Sequence, residues 1–472
     1  MRRLALGLVA ALAVGCASTS PEEPFRDAAA QVETRSGHRI AWNQGGDDDR
    51  EVQDALRKLL GSELTVDATV QVALLNNPTL LASYEDLSLS QADLVQAGLL
   101  RNPVFSASIT TAERENLDPN VIFGVTQDFL DVLLLPARKK IARTQLEQAR
   151  YRLVDGVLEI AARTRAGYFT LQAALQIIAM RSQITEAAQA AIELATRQHE
   201  AGNINDLDLA NETAAYEQIK LDLARSQLDA VAAREELAKL LGVWGEDVHF
   251  KVPPRLPELP NEEVSLEHLE SAAIAQRADL AAAGRQVQAL AYATSLAKSS
   301  RWTGMVNVGA DVARLTSGNV VVGPTASIEL PIFDQRQAVI ARLEALRRGA
   351  ERTEQAIAID IRSDVRKTRM RLVTLRRFVE RYRTVIVPTR ENVVRLSQQQ
   401  YDAMLLGVYQ LLQARQAEIN AYREYVETLR DYWIARSDLE RAVGGRLPGA
   451  KPPVSPPPAA EPSTPPPHEH HH

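Results

Sequence analysis

Few residues in this 472-residue chain have the types and spacing to do chemistry, and they sit near its two ends. Cys16 is the only cysteine, so no disulfide can form within one chain and no cysteine cluster can bind metal. It follows Arg2-Arg3, an apolar run of 11 residues from Leu4 to Val14, and Gly15. A basic start, a short apolar run and small residues make a cleavable export signal, and the run is too short to span a bilayer. A cysteine at such a boundary is placed to be acylated. The leucine usual three places before it is replaced by Ala13, with Leu12 one place earlier, and a chance cysteine in an ordinary signal peptide would look similar. Ala17 after it, rather than Asp, points to the outer membrane. At the other end stand His468, His470, His471 and His472 around Glu469. Such a tract can bind Zn or Cu, and it also fits a weakly binding end or an engineered remnant. His38, His199, His249 and His268 are scattered and read as ordinary surface residues. No HExxH, no GxSxG and no Walker-type phosphate loop occurs. The chain therefore does not read as an enzyme, and no cofactor is expected.

The rest of the composition concerns scaffolding. The net charge of −6 and pI near 5.9 speak against nucleic acid. Aromatics are only 5%, while Ala, Leu, Gln, Glu and Arg dominate, as in long helices and coiled coils. No apolar run after residue 16 reaches 18 residues, so no transmembrane helix is expected. A chain that crosses a membrane without helices must do so as a closed β-barrel.

The elements repeat. Ala73, Leu80 and Ala82 recur as Ala273, Leu280 and Ala282. Gly124 and Ile141-Ala142-Arg143 recur as Gly323 and Ile340-Ala341-Arg342. Ala233 to Leu237 with Gly242 recur as Ala435 to Leu439 with Gly444. The common order at an offset of about 200 residues indicates duplication. Each copy reads as a helix (66–100 and 265–299), two alternating stretches, a very long helix (137–200 and 335–402), a brief break and a final helix (206–242 and 408–443). The first long helix would run ~96 Å at 1.5 Å per residue. Leu146, Leu153 and Ile160 lie seven apart, and Leu372, Leu375, Val379, Tyr382 and Ile386 step by threes and fours, as in a coiled-coil seam. Pro388 should bend or weaken the second long helix. The divisions are 1–15 signal, 16–64 lipidated N-terminal segment, 65–243 first repeat, 244–264 linker, 265–445 second repeat and 446–472 a Pro-rich, His-ending tail, read as disordered. Asp47-Asp48-Asp49 reads as solvated loop.

Between the helices the period changes to two. Phe105, Ala107 and Ile109 alternate with Ser106, Ser108 and Thr110; Val121, Phe123 and Val125 share a face. Trp302, Val306, Val308, Ala310 and Val312 oppose Thr303, Asn307 and Asp311, and Ala326, Ile328 and Leu330 alternate with Thr325, Ser327 and Glu329. This suits a membrane barrel, or two half-buried hairpins on a soluble core. Bacterial barrels start at eight strands, so four could span only by pooling strands from several copies.

Over residues 65–445 the chain resembles the TolC-like outer-membrane factors. The resemblance is carried by Asn77-Pro78-Thr79-Leu80, Gln96 to Leu100 with Asn102-Pro103, Ala201-Gly202-Asn203-Ile204, Leu237 to Gly242, and Leu330-Pro331-Ile332-Phe333-Asp334. Met404 to Leu412 looks most like the branch exporting heavy-metal cations. The resemblance implies a mainly α fold with a small β part, a duplicated unit of long coiled-coil helices plus two β-hairpins. Three copies would form a homotrimer with a 12-stranded barrel in outer-membrane lipid and a helical tunnel in the periplasm. It also implies a membrane-fusion adaptor and an inner-membrane transporter, of RND type, as partners, with passive conduction of substrate, either heavy-metal cations or small toxic molecules, from periplasm to outside. The two breaks would form the periplasmic tip, where Gly202 and Gly407 suit tight reversal because glycine takes positive φ at no steric cost. Acidic residues that narrow the entrance in relatives match Gln410 and Gln413 here, and Asp208 and Asn211 in the first copy; the neutral pair departs from the pattern. Protein secretion through the same trimer, or a non-channel coiled-coil structural lipoprotein, are the rival readings.

Overall fold

The computed structural model describes residues 20–42, 47–111, 119–262, 267–403 and 405–447. Helices α1 (Glu22–Ser36), α2 (Asp47–Leu60), α3 (Val66–Asn76) and α4 (Pro78–Ala97) lead to strands β1 (Val104–Thr110) and β2 (Asn120–Asp128). Then come α5 (Phe129–Glu200) and α6 (Asp206–Leu241). The second copy follows as α7 (Leu269–Gln276), α8 (Ala278–Ser299), β3 (Val306–Arg314), β4 (Val320–Ile328), α9 (Gln337–Arg381), α10 (Val387–Asp402) and α11 (Val408–Val443). The fold is mainly α with one small antiparallel sheet, as the sequence reading expects. Among the described residues, no helix is long and apolar enough to cross a membrane.

The chain divides into two compact units, each drawing on both repeats. One comprises residues 20–31, Leu81–Gly156 and Arg277–Asp360 and holds the sheet. Its helices are tied by Arg285–Glu147 (3.1 Å), Lys298–Glu344 (2.6 Å) and Lys140 packed 4.0 Å from the Tyr292 ring centre. The other comprises Val32–Leu80, Val157–Gln276 and residues from Ile361 onward. Its core sets Leu64, Leu74, Leu171, Leu237, Leu241 and Leu439 beside Tyr432 and Trp433, all buried. Each such leucine contributes roughly 1.5–3 kcal/mol on leaving water. Phe169 stacks on Trp433 at 5.5 Å. The seam residues Leu146, Leu153, Ile160, Leu372 and Val379 are buried along their helices, as their spacing predicts, while Leu375, Tyr382 and Ile386 are half-buried.

The structure refines several boundaries. Each first helix is two helices. Asn77 precedes a proline, which disfavours helical ψ, and it sits at φ −67°, ψ 116°. In the second copy Arg277 is extended and its guanidinium clasps Asp279 (2.6 and 2.9 Å). Helix α5 begins eight residues before the expected 137, because the Asp128 carboxylate accepts the N–H groups of Leu130 (3.0 Å) and Asp131 (3.3 Å) and caps it there. The second long helix widens into a π turn at Tyr382–Ile386, where the Val387 N–H reaches back to Tyr382 O. Pro388 cannot donate, so the helix accommodates it with a wider turn rather than a stop. Residues 47–49 begin helix α2 instead of forming a loop.

Residues 244–262, the described part of the linker, are hydrogen-bonded to the helices. Gln172 donates to Pro253 O and Arg255 O (both 3.1 Å), Trp433 to Pro257 O (2.9 Å) and Arg376 to Pro260 O (2.9 Å). The start of the tail is likewise packed. Leu447 is buried, and the Arg446 N–H donates to Arg35 O (2.9 Å).

Candidate channel surfaces

The strands pair in the order β1-β2-β3-β4, all antiparallel, so the two hairpins join through β2 and β3. The register aligns Ile109, Val121, Arg314 and Val320 in one row, Ala107, Phe123, Val312 and Val322 in the next, and Phe105, Val125, Ala310 and Pro324 in a third. Because side chains alternate along each strand, these rows share one face. The opposite face carries Ser106, Ser108, Thr126, Asn307, Asp311, Thr325 and Ser327, with Val104, Ile122 and Val321 as its large apolar exceptions. The apolar face is bare: Phe105 is 66% exposed, Val312 43% and Val322 69%. Soluble sheets bury this face; here the apolar side looks outward from its own unit. The outer edges of β1 and β4 have no partner strand among the described residues. Trp302 falls before β3 rather than in its alternation, and Arg301 stacks on its ring at 4.5 Å.

The two helix breaks lie in the second unit. After Glu200 the chain turns through Gly202 at φ +75°, whose N–H donates to His199 O (2.9 Å). Asn205 then caps α6 by accepting the Asp208 N–H (2.9 Å), and His199 Nε2 lies 2.7 Å from Asp206 Oδ1. Gly202 thus does what its type suggests. Gly407 does not: it is the N-cap of α11 at φ −77°, ψ 156°, ordinary extended backbone. The Gln410 side chain folds back so that its Oε1 lies where a Cβ on Gly407 would come within 2.8 Å. Gln410 and Gln413 are exposed, and Asp208 and Asn211 half-buried. Among the described residues no hydrogen bond or ion pair joins these four.

A charged group that spacing alone did not disclose lies beside them. Glu212 on α6 faces Arg415 on α11, which donates to Gln398 of α10 (2.8 Å). Burial, joined by the Asp208 charge, pushes the Glu212 pKa up, and Arg415 pulls it back. Glu418 is also raised, first by burial and then by Glu391. Its members come from three helices and both copies, so no local pattern marks them.

Cys16 and the histidines His468, His470, His471 and His472 lie outside the described residues, as does Met404. Among the described residues no group of three or more His, Cys, Asp and Glu side chains could hold a metal. His38, read as a surface residue, is instead buried, with Nδ1 2.9 Å from Ser36 O and Nε2 3.5 Å from Asp67.

Known proteins resemble this chain in sequence and in fold. The cobalt-zinc-cadmium resistance protein CzcC of Cupriavidus metallidurans is 20% identical over 396 residues, spanning 81% of this chain and 90% of that protein. The CmeC outer membrane channel of Campylobacter jejuni superposes with a TM-score of 0.69 at 15% identity, covering 87% of this chain and 90% of CmeC. The outer membrane protein VceC of Vibrio cholerae gives 0.66 at 17% identity, covering 84% and 96%. Residues 69–243, within the first repeat, match the model of the outer membrane efflux protein family, and the fold shared with solved outer-membrane channels agrees with that match.

Proposed function

We propose that this protein is the outer-membrane channel subunit of a tripartite export system, conducting substrate passively from the periplasm to the outside. The observation that carries this is the sheet: one bare apolar face, one mostly polar face, and two unpaired outer edges. An open sheet in lipid leaves backbone groups unsatisfied, at several kcal/mol each by order of magnitude. Pairing β4 of one copy with β1 of the next removes every edge. Three copies in cyclic symmetry make a 12-stranded barrel with the apolar rows in lipid and the polar face around water. Acylated Cys16 anchors each copy. The two helix breaks form the periplasmic tip that meets a membrane-fusion adaptor and, beyond it, an RND-type transporter. Heavy-metal cations are the substrate class, by likeness to CzcC and by the Met404 to Leu412 stretch. Purified full-length protein added to planar bilayers should give discrete single-channel currents and crosslink as trimers. Monomeric protein that never conducts would instead identify a coiled-coil structural lipoprotein.

A further inference from the structure

The polar face of the sheet is nearly free of charge. Three charged residues occur in the four strands: Asp128, Asp311 and Arg314. Arg314 ends β3 on the apolar face. Asp128 ends β2, caps α5 and lies 3.7 Å from Arg101. Asp311 alone stands in mid-strand on the polar face, and among the described residues no hydrogen bond or ion pair neutralises it.

Its row runs Ser106, Gly124, Asp311, Gly323 across all four strands. The carboxylate leans across the sheet over Gly124: a Cβ there would run into Asp311 Oδ1 and stand 2.8 Å from Ser106 Oγ. On the other side, a Cβ on Gly323 would meet nothing within 4 Å. Aspartate and glycine are both poor strand residues. The row thus gives up packing on both sides of one carboxylate, leaving room for it and its water.

We infer that Asp311 sets the charge selectivity of the pore, favouring cations over anions as they pass the barrel. This rests on the channel reading above. In a trimer the three carboxylates form a ring in a lumen whose other strand carboxylate, Asp128, is paired with Arg101 at the strand end, and charged rings inside low-dielectric walls raise the local counter-ion concentration. The ring acts through its field and binds no ion tightly, as a conduit requires.

The test is the reversal potential of full-length protein in planar bilayers under a KCl gradient. The wild type should favour K⁺ over Cl⁻. Asp311→Asn should lower that permeability ratio by at least about twofold near 0.1 M salt and by less near 1 M, where the Debye length falls to ~3 Å. Asp311→Glu should keep the wild-type ratio. Gly323→Lys, which enters open space beside an intact Asp311, should lower the ratio too, and gives the same reading if Asp311→Asn fails to assemble. Pores whose ratio is unchanged by Asp311→Asn, or by Gly323→Lys where Asp311→Asn forms no pores, overturn this inference and leave the channel reading standing. No pores from the wild type would overturn the channel reading and this inference with it.

Discussion

Asn77 works in two directions. Its Oδ1 accepts the Leu80 N–H (3.0 Å), starting α4, and its Nδ2 donates to Leu240 O (2.8 Å), closing α6 from more than a hundred residues away. Asn76 adds bonds to Leu241 O (3.0 Å) and Gly242 O (2.9 Å). Gly242 must be glycine there: φ is +67° and a Cβ would strike Asn76 O. The Asn-Pro motif is therefore a clasp between helix ends. Asn77→Ala should cost about 1–2 kcal/mol, a lost cap plus a stranded buried carbonyl, seen as a lower melting temperature of the detergent-solubilised protein. A melt like the wild type's would mean the clasp is incidental. Glu212 and Glu418 carry a second prediction. Their pKa values are raised in the folded chain, so the folded state holds protons more tightly than the unfolded one. The stability this gives is present below the ordinary glutamate value of 4.5 and is lost as pH rises through it toward the folded value. Hydrogen exchange around residues 206–220 and 410–420, corrected for intrinsic rate, should thus quicken as pH is raised from that value toward neutrality. Glu212→Gln with Glu418→Gln should flatten the trend, and an identical trend in that variant would assign the pH response elsewhere.

The two breaks show how far residue type carries an argument about elements. Glycine at each break suggested the same positive-φ turn, yet only Gly202 adopts it. Gly202→Pro should disrupt the first break, because proline fixes φ near −65° and removes the N–H given to His199 O. Gly407→Pro should be tolerated, since φ −77° already suits proline and the only atoms a Cβ would meet belong to the end of the flexible Gln410 side chain. Export in a strain lacking its own channel, with trimer crosslinking as control, reads both. Equal loss in the two variants would show that Gly407 needs its freedom in some other state. Helices α6 and α11 and the coiled-coil seams were legible because their periods persist for many turns. The starts of α5 and α2 were not. One depends on a capping aspartate that follows a strand, and the other falls in an acidic run of a kind that loops also use. The clamping of 244–262 and the pairing of Glu212 with Arg415 were invisible for a different reason: their partners lie far apart in sequence.

For the whole molecule, the channel reading rests on the sheet. The alternation in each strand was legible, but only the register shows that four separate apolar stripes fall on one face, uncovered. Burying that face and closing both edges are one requirement in this reading, and additional copies inside a bilayer satisfy both. The two faces then face different solvents, and the same substitution should have opposite outcomes on them. Val312 lies in the row Ala107, Phe123, Val312, Val322 on the apolar side; Asn307 lies on the polar side, its Nδ2 3.3 Å from Ser327 Oγ. Val312→Arg puts a cation against lipid at roughly 2–4 kcal/mol per copy near mid-depth, a penalty incurred once per subunit in the trimer. It should reduce the heat-resistant trimer recovered from outer-membrane fractions. Asn307→Arg gives up one weak hydrogen bond and points its charge into water, so trimer yield should stay near that of the wild type. Equal loss in the two variants would mean that both faces are buried against protein, and the barrel would have to be abandoned for a covered hairpin pair.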